Sequence, residues 1–232
     1  MRGRFITFEG GEGTGKSTQS RLLAKRLRGM AIEVVQTREP GGSLGAEIIR
    51  HVLLSGAAKP FGPEAEAVLF AAARADHVKT IIAPALERGT WVICDRYIDS
   101  TRVYQGAAGN VDPRFINGLE RITVGDIVPD LTIILDIDVP TGLARAAMRR
   151  SGEKIDRFED EKIEFHQKLR DAYKEIATSN PERCVLVEAS GTAEAVAFAI
   201  WKIVSKKLDP ATAPATLSGS GEPKPFMESA AR

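Results

Sequence analysis

Short apolar runs and longer amphipathic stretches alternate along most of this 232-residue chain. Five runs read as strands: RFITFE at 4–9, EVVQTR at 33–38, WVICD at 91–95, LTIILDID at 131–138 and CVLVEA at 184–189. Between and after them, apolar positions three and four apart predict helices near residues 16–28, 45–54, 63–88, 113–124, 140–150, 159–179 and 192–207. In the first of these, Leu22, Leu23, Ala24 and Leu27 mark out one face. Strands alternating with helices predict the α/β class, with a parallel sheet covered on both sides. No segment repeats. From residue 209 the stretch DPATAPATLSGSGEPKPFMESAAR loses the periodicity and turns rich in Ala, Pro, Ser and Gly. It carries too little apolar surface to offset the entropy of ordering it, so 209–232 is expected to be a disordered tail on a folded unit spanning 1–208.

Composition narrows the setting. At 43% hydrophobic the chain can bury a real core, and a net charge of +1 gives no overall pull toward nucleic acid or a membrane surface. No apolar run is long enough to span a bilayer, and no signal-peptide pattern follows Arg2 and Arg4. Cys94 and Cys184 lie within strand-like runs and read as free buried thiols of a reducing compartment. The expectation is a cytoplasmic protein with no nucleic-acid or membrane partner.

The chemistry starts at EGGEGTGKST, residues 9–18. Gly10, Gly15, Lys16 and Ser17 fit the pattern G-x-x-x-x-G-K-[ST], and they stand between a strand and a helix as a phosphate-binding loop must. Loop amides and the helix N-terminus both favour an anion there. Gly10, Gly11, Glu12, Gly13, Thr14, Gly15, Lys16, Ser17 and Thr18 are therefore the expected nucleotide-binding residues. Lys16 would reach the β- and γ-phosphates of ATP, and the Ser17 hydroxyl would hold Mg²⁺. Glu12, a carboxylate inside an anion cradle, needs a different partner.

In parallel sheets, ligands bind beyond the carboxyl ends of the strands. The third strand run delivers Asp95, a second candidate for Mg²⁺, followed by Arg96. Asp136 and Asp138 end the fourth run and compete for the metal role, or else cap the helix that follows. Arg38 and Glu39 end the second run before a Pro-Gly-Gly turn. Phe70 and Arg74, four residues apart, share a helix face on which a ring and a guanidinium could grip a base. Arg145, Arg149, Arg150 and Arg157 surround a Ser-Gly break. They form either a solvated face or a flap that brings positive charge to a migrating phosphoryl group. His51, His77 and His166 are scattered and read as surface or packing residues.

Taken in order, FEGGEGTGKST, TREPGG, DRYIDSTRVYQG and RRSGEKIDRFE resemble the thymidylate kinases, and the resemblance runs from about Arg4 to Leu208. It implies a P-loop NTPase fold with a five-stranded parallel sheet flanked by helices, and a small lid over about 148–158. It also implies a homodimer, and transfer of the ATP γ-phosphate to dTMP on the way to dTTP, with Mg²⁺ as cofactor. By this resemblance Arg96 holds the acceptor phosphate, Phe70 stacks on thymine and Tyr104 packs on the sugar. Arg74, Thr101 and Gln105 read the base, and Arg38 and Arg50 line the acceptor site. The P-loop lacks an arginine, so Arg149, Arg150 and Arg157 of the lid are the implied catalytic arginines, alongside Lys16 and Arg96. Glu12 would face the acceptor, taking a hydrogen bond from its sugar hydroxyl or from metal-bound water. A kinase of another monophosphate, a deoxynucleoside kinase and a P-loop switch stay as rivals, though no guanine-reading N-K-x-D occurs.

Overall fold

The computed structural model describes residues 2–149, 158 and 160–212. Five strands form one parallel sheet: β1 (Phe5–Glu9), β2 (Val34–Arg38), β3 (Trp91–Asp95), β4 (Leu131–Asp136) and β5 (Cys184–Glu188), in the order β2-β3-β1-β4-β5. Each coincides with one of the five apolar runs. Along β1 the side chains alternate between the two sides, Ile6 and Phe8 on one and Phe5 on the other. Strands buried on both sides favour apolar residues on both, which is why the central strands β1, β3 and β4 read as largely apolar runs, while the edge strands β2 and β5 are partly exposed.

The helices are α1 (Lys16–Arg28), α2 (Leu44–Leu54), α3 (Gly62–His77), α4 (Ala83–Glu87), α5 (Ile98–Thr101), α6 (Pro113–Thr123), α7 (Val139–Arg149), α8 (Ile163–Ser179) and α9 (Ala193–Leu208). On one side, Leu23, Ala24 and Leu27 of α1 and Val196, Ile200 and Val204 of α9 pack against Ile6, Phe8, Ile93 and Ile133. On the other side, Phe5, Val92 and Cys94 meet Val78, Ile82 and Tyr97, while Ile134 and Cys184 meet Leu169 and Tyr173 of α8. Both cysteines are free and buried, as expected. No described helix is long and apolar enough to cross a membrane.

Two elements depart from the sequence reading. The single helix expected over 63–88 is α3, a π-helical stretch Val78–Ile82 and α4. Pro84 stands in the first turn of α4, where its missing N–H and its ring disturb the hydrogen-bond ladder of the turn before it. The stretch 98–108, in which no helix was expected, is α5 running into a second π-helical segment, Arg102–Ala108. At the C-terminal end, Leu208 and Pro210 are buried and Pro210–Thr212 forms a 3₁₀ turn, so the described fold extends past the expected boundary at 209. Residues 213–232 of the expected tail lie outside the described residues.

Candidate active site

The sheet delivers its strand ends to one place. β1 ends at Glu9 and the loop Gly10–Gly15 leads directly into α1. Gly13 has φ +68°, and a Cβ on it would run into the backbone carbonyl of Gly142 in α7, so only glycine lets the loop lie against that helix. Lys16 is buried at the start of α1, its Nζ donating to the carbonyls of Gly10 (3.0 Å) and Gly11 (2.7 Å). Burial pushes its ammonium down to about 8, with Arg96 adding to the effect and Glu12 and Asp95 opposing it.

β3 supplies Asp95, whose Oδ2 accepts from Ser17 Oγ at 2.5 Å. The next residue, Arg96, adopts φ +69°, an uncommon conformation for a side chain of its size. Its backbone N–H is fixed to the Phe8 carbonyl (2.9 Å), its Nη2 donates to Glu12 Oε1 (2.5 Å), and its guanidinium lies 5.0 Å from the Tyr104 ring centre. Tyr104 OH also donates to Glu12 Oε1, at 2.7 Å. Burial works to raise the Glu12 carboxyl, but Arg96, Lys16 and the Tyr104 hydrogen bond prevail and hold it down at about 2. The carboxylate inside the anion cradle thus turns away from the loop amides and pairs with Arg96.

A cavity of about 210 Å³ joins these groups to a second set of side chains. Glu12, Gly13, Gly15, Lys16, Ser17, Asp95 and Arg96 line one part; Arg38, Arg50, Phe70, Thr101, Tyr104 and Gln105 line the rest. Thr101 closes α5, and Tyr104 and Gln105 reach the same wall from the π-helical segment Arg102–Ala108 that continues it. Gly10, Gly11, Thr14 and Thr18 of the expected cradle do not line it. Arg38 binds Glu47 with Nη2 (3.0 and 3.2 Å), and Arg50 donates to the Pro40 carbonyl (2.6 Å).

Arg74 does not share the wall with Phe70. It is 3% exposed, donates from Nε to Glu39 Oε2 (2.6 Å), and donates from Nη2 to the Tyr97 carbonyl and to Thr101 Oγ1 (3.1 Å each). The helix face that carries both residues faces the sheet at Arg74 and the cavity at Phe70. Nη1 has no hydrogen bond among the described residues. His77 shares the Glu39 carboxylate (3.0 Å) and bonds Thr37 Oγ1 (2.7 Å), so this histidine is a packed core residue, as is His166.

Of the competing carboxylates, Asp136 is taken by Arg170 (2.7 and 3.0 Å), and Asp138 accepts from Thr141 N–H (2.9 Å) at the start of α7. Asp138 therefore takes the capping alternative. Within the basic run, Arg145 is tied to the Ala189 and Ser190 carbonyls (2.8 and 2.9 Å). Arg149 closes α7, while Arg150, Arg157 and most of the expected lid lie outside the described residues. Sequence reasoning passed over Phe158, Ser100 and Leu54, and gave Glu39 and Pro40, noted at the end of the second strand run, no site role; all five are on the cavity wall. Phe158 stands edge-on to Tyr104 with ring centres 5.3 Å apart, and its only sequence signal was an aromatic within the charged stretch.

The donor set suits Mg²⁺. Ser17 Oγ and Asp95 Oδ2 are hard oxygen donors beside the nucleotide loop, and Mg²⁺ takes one or two carboxylates with water and substrate phosphate completing its shell. Among the described residues no group of three or more His, Cys, Asp or Glu converges as a self-sufficient metal cage.

Comparison with known proteins yields one family. The family model described as thymidylate kinase matches residues 8–200. A thymidylate kinase of Nitrobacter winogradskyi is 61% identical over 201 residues, 87% of each chain, and one of Bradyrhizobium diazoefficiens is 58% identical over 212 residues, 91% of this chain and 93% of the relative. The crystal structure of thymidylate kinase from Ehrlichia chaffeensis superposes with a TM-score of 0.72 at 34% identity, covering 88% of this chain and all of that one.

Proposed function

This chain belongs to the thymidylate kinase family, and on that premise we propose how its residues divide the work of moving the γ-phosphate of ATP onto dTMP, giving dTDP and ADP. The observation that carries the reading is a cavity in which the P-loop lysine meets an aromatic and polar pocket, so that donor and acceptor share one space. Gly13, Gly15, Lys16 and Ser17 form the donor side. Lys16 Nζ, held on two loop carbonyls, exchanges them for phosphate oxygens. Ser17 and Asp95 would hold Mg²⁺, which would supply charge neutralisation on the donor phosphates.

Arg96, with Arg38 and Arg50 beside it, takes the acceptor phosphate, Phe70 stacks on the base, and Tyr104 packs on the sugar. Thr101 and Gln105 read the base edge, and Arg74, which is off the cavity wall, orients the Thr101 hydroxyl from behind. Glu12 accepts from the sugar hydroxyl or from metal-bound water. No general base is needed, because a phosphate monoester has a second pKa of about 6 and is already largely ionised near neutral pH. Positioning and charge neutralisation therefore carry the chemistry. The arginines of the segment 148–158, a lid, add positive charge once water is excluded.

Two further readings complete the picture. Leu44, Ile48 and Val52 form an exposed apolar stripe at four-residue spacing on α2, beside α3 and α6, which expose Val68, Phe115 and Ile122. A second copy of the chain covering this surface makes the protein a homodimer. Two free buried thiols suit the cytoplasm.

The test is an ADP-release assay with ATP and a panel of nucleoside monophosphates. dTMP should have the highest kcat/KM, with dUMP lower by roughly 10- to 200-fold for one methyl and dCMP lower still, by on the order of 10⁴-fold, for a reversed hydrogen-bonding edge. Equal turnover of dCMP and dTMP would defeat the acceptor assignment.

A further inference from the structure

Glu9 has no part in the phosphate cradle as read from the sequence, yet it is fully buried at the junction of β1 and the loop. Its Oε1 accepts from the backbone N–H groups of Tyr97 (2.8 Å) and Ser100 (3.3 Å), and its Oε2 from Ser100 Oγ (2.7 Å) and Tyr173 OH (3.1 Å). The same two hydroxyls stand 3.2 Å and 3.4 Å from Nη1 of Arg96 and 3.1 Å from each other. A guanidinium only donates, and a hydroxyl has a single proton. If Arg96 donates to both oxygens, their protons must point elsewhere, and Glu9 Oε2 is the acceptor to which both can turn. Protons therefore run in one direction, from Arg96 to the two hydroxyls and from the hydroxyls to Glu9. Only an acceptor-only group satisfies all four donors around it.

We propose that Glu9 is a positioning residue for Arg96, acting through Ser100 and Tyr173, which orient their lone pairs toward the guanidinium because Glu9 takes their protons. Arg96 is then held from two sides, by Glu12 at Nη2 and at Nη1 by this relay together with the Gly10 carbonyl (3.3 Å), and its Nε keeps no partner among the described residues. All the bonds at Nη1 are long, the one to the Gly10 carbonyl included, so losing the two hydroxyl acceptors leaves that end of the fork with a single weak partner. Burial and the neighbouring Asp99 push the Glu9 carboxyl up to about 7. The four hydrogen-bond donors and Arg96 favour its ionised form.

The inference rests on Arg96 binding the acceptor, so the experiment includes Arg96→Lys as a separate arm. Glu9→Gln keeps the shape and replaces one acceptor with a donor. It is expected to lower kcat/KM for dTMP on the order of 10- to 100-fold while changing the KM for ATP less than about threefold, since a small misplacement of a substrate-holding group costs that much. The Ser100→Ala/Tyr173→Phe double variant should lose a similar factor. Adding Glu9→Gln to it should cost little more, because the relay is already cut. Additive losses, equal loss toward ATP and dTMP, or full dTMP activity in a folded Glu9→Gln would overturn the proposal. Where Glu9→Gln does not fold, a hydroxyl double variant with unchanged kcat/KM for dTMP overturns it equally. Should Arg96→Lys leave dTMP turnover intact, the assignment of Arg96 itself fails, an outcome distinct from any of these.

Discussion

Lys16 carries a pH dependence of its own. Burial lowers its ammonium from the ordinary value of 10.5 to about 8, so between these limits the unfolded chain holds a proton that the folded chain has released. The sign follows: the buried charge costs stability below pH 8, and the cost eases as pH rises toward 10.5. Catalysis runs the other way, because a neutral amine cannot hold phosphate. We expect kcat/KM for ATP, which reports the free enzyme, to fall above about pH 8, while kcat falls only at higher pH because bound phosphate keeps the ammonium charged. A pH–rate profile from about 6 to 10 checks this, and a flat kcat/KM would contradict it. Arg74 illustrates a different hazard. Its removal leaves Glu39, buried to the same degree, with His77 as its remaining side-chain partner, and breaking such a buried pair costs about 3–5 kcal/mol. Arg74→Ala should therefore lower Tm by roughly 10 °C whatever it does to base choice. Gln105→Ala, which breaks no ion pair, should narrow the margin of dTMP over dCMP without such a fall in Tm. Calorimetry and the acceptor panel together separate the two effects.

Among the elements, the loop between β1 and α1 is the most constrained. It touches α7 closely enough that neither Gly13 nor Gly142 has room for a methyl group beside the opposing backbone. Gly13→Ala adds the cost of a left-handed alanine, about 1–2 kcal/mol, to a clash that the loop can relieve only by lifting off α7. Because Lys16 and Ser17 ride on that loop, kcat/KM for ATP should fall on the order of 100-fold with circular dichroism unchanged. An active Gly13→Ala would show that the loop tolerates another path. The π-helical segment after α5 is the second element with a local purpose, since its extra backbone carries Tyr104 and Gln105 onto the cavity wall beside Thr101.

For the molecule as a whole, the proposed dimer rests on the exposed stripe on α2. Ile48 is 64% exposed and Leu44 76%, values that apolar side chains of a lone protein rarely reach in a continuous row. Sedimentation equilibrium should give a dimer, and Ile48→Asp, which would bury an unpaired carboxylate in the contact, should weaken association at least about 100-fold. A monomeric wild-type protein at micromolar concentration would leave the stripe unexplained.

What the sequence determined by itself was local. Apolar runs of five or six residues located all five strands, and amphipathic spacing located most of the helices, because both periods follow from backbone geometry within one segment. The P-loop was legible for the same reason: its glycines, lysine and hydroxyl are fixed in spacing by the phosphate they serve. Tertiary structure decided which distant groups meet and which way a long side chain turns. Ser17 finds Asp95, Glu12 turns to Arg96, Arg74 turns inward to Glu39, and Tyr173 of α8 reaches Glu9 under β1. None of these pairings leaves a periodic trace. A charged residue in a sequence is equally suited to solvent, to a ligand or to a buried partner, and only packing removes two of those choices.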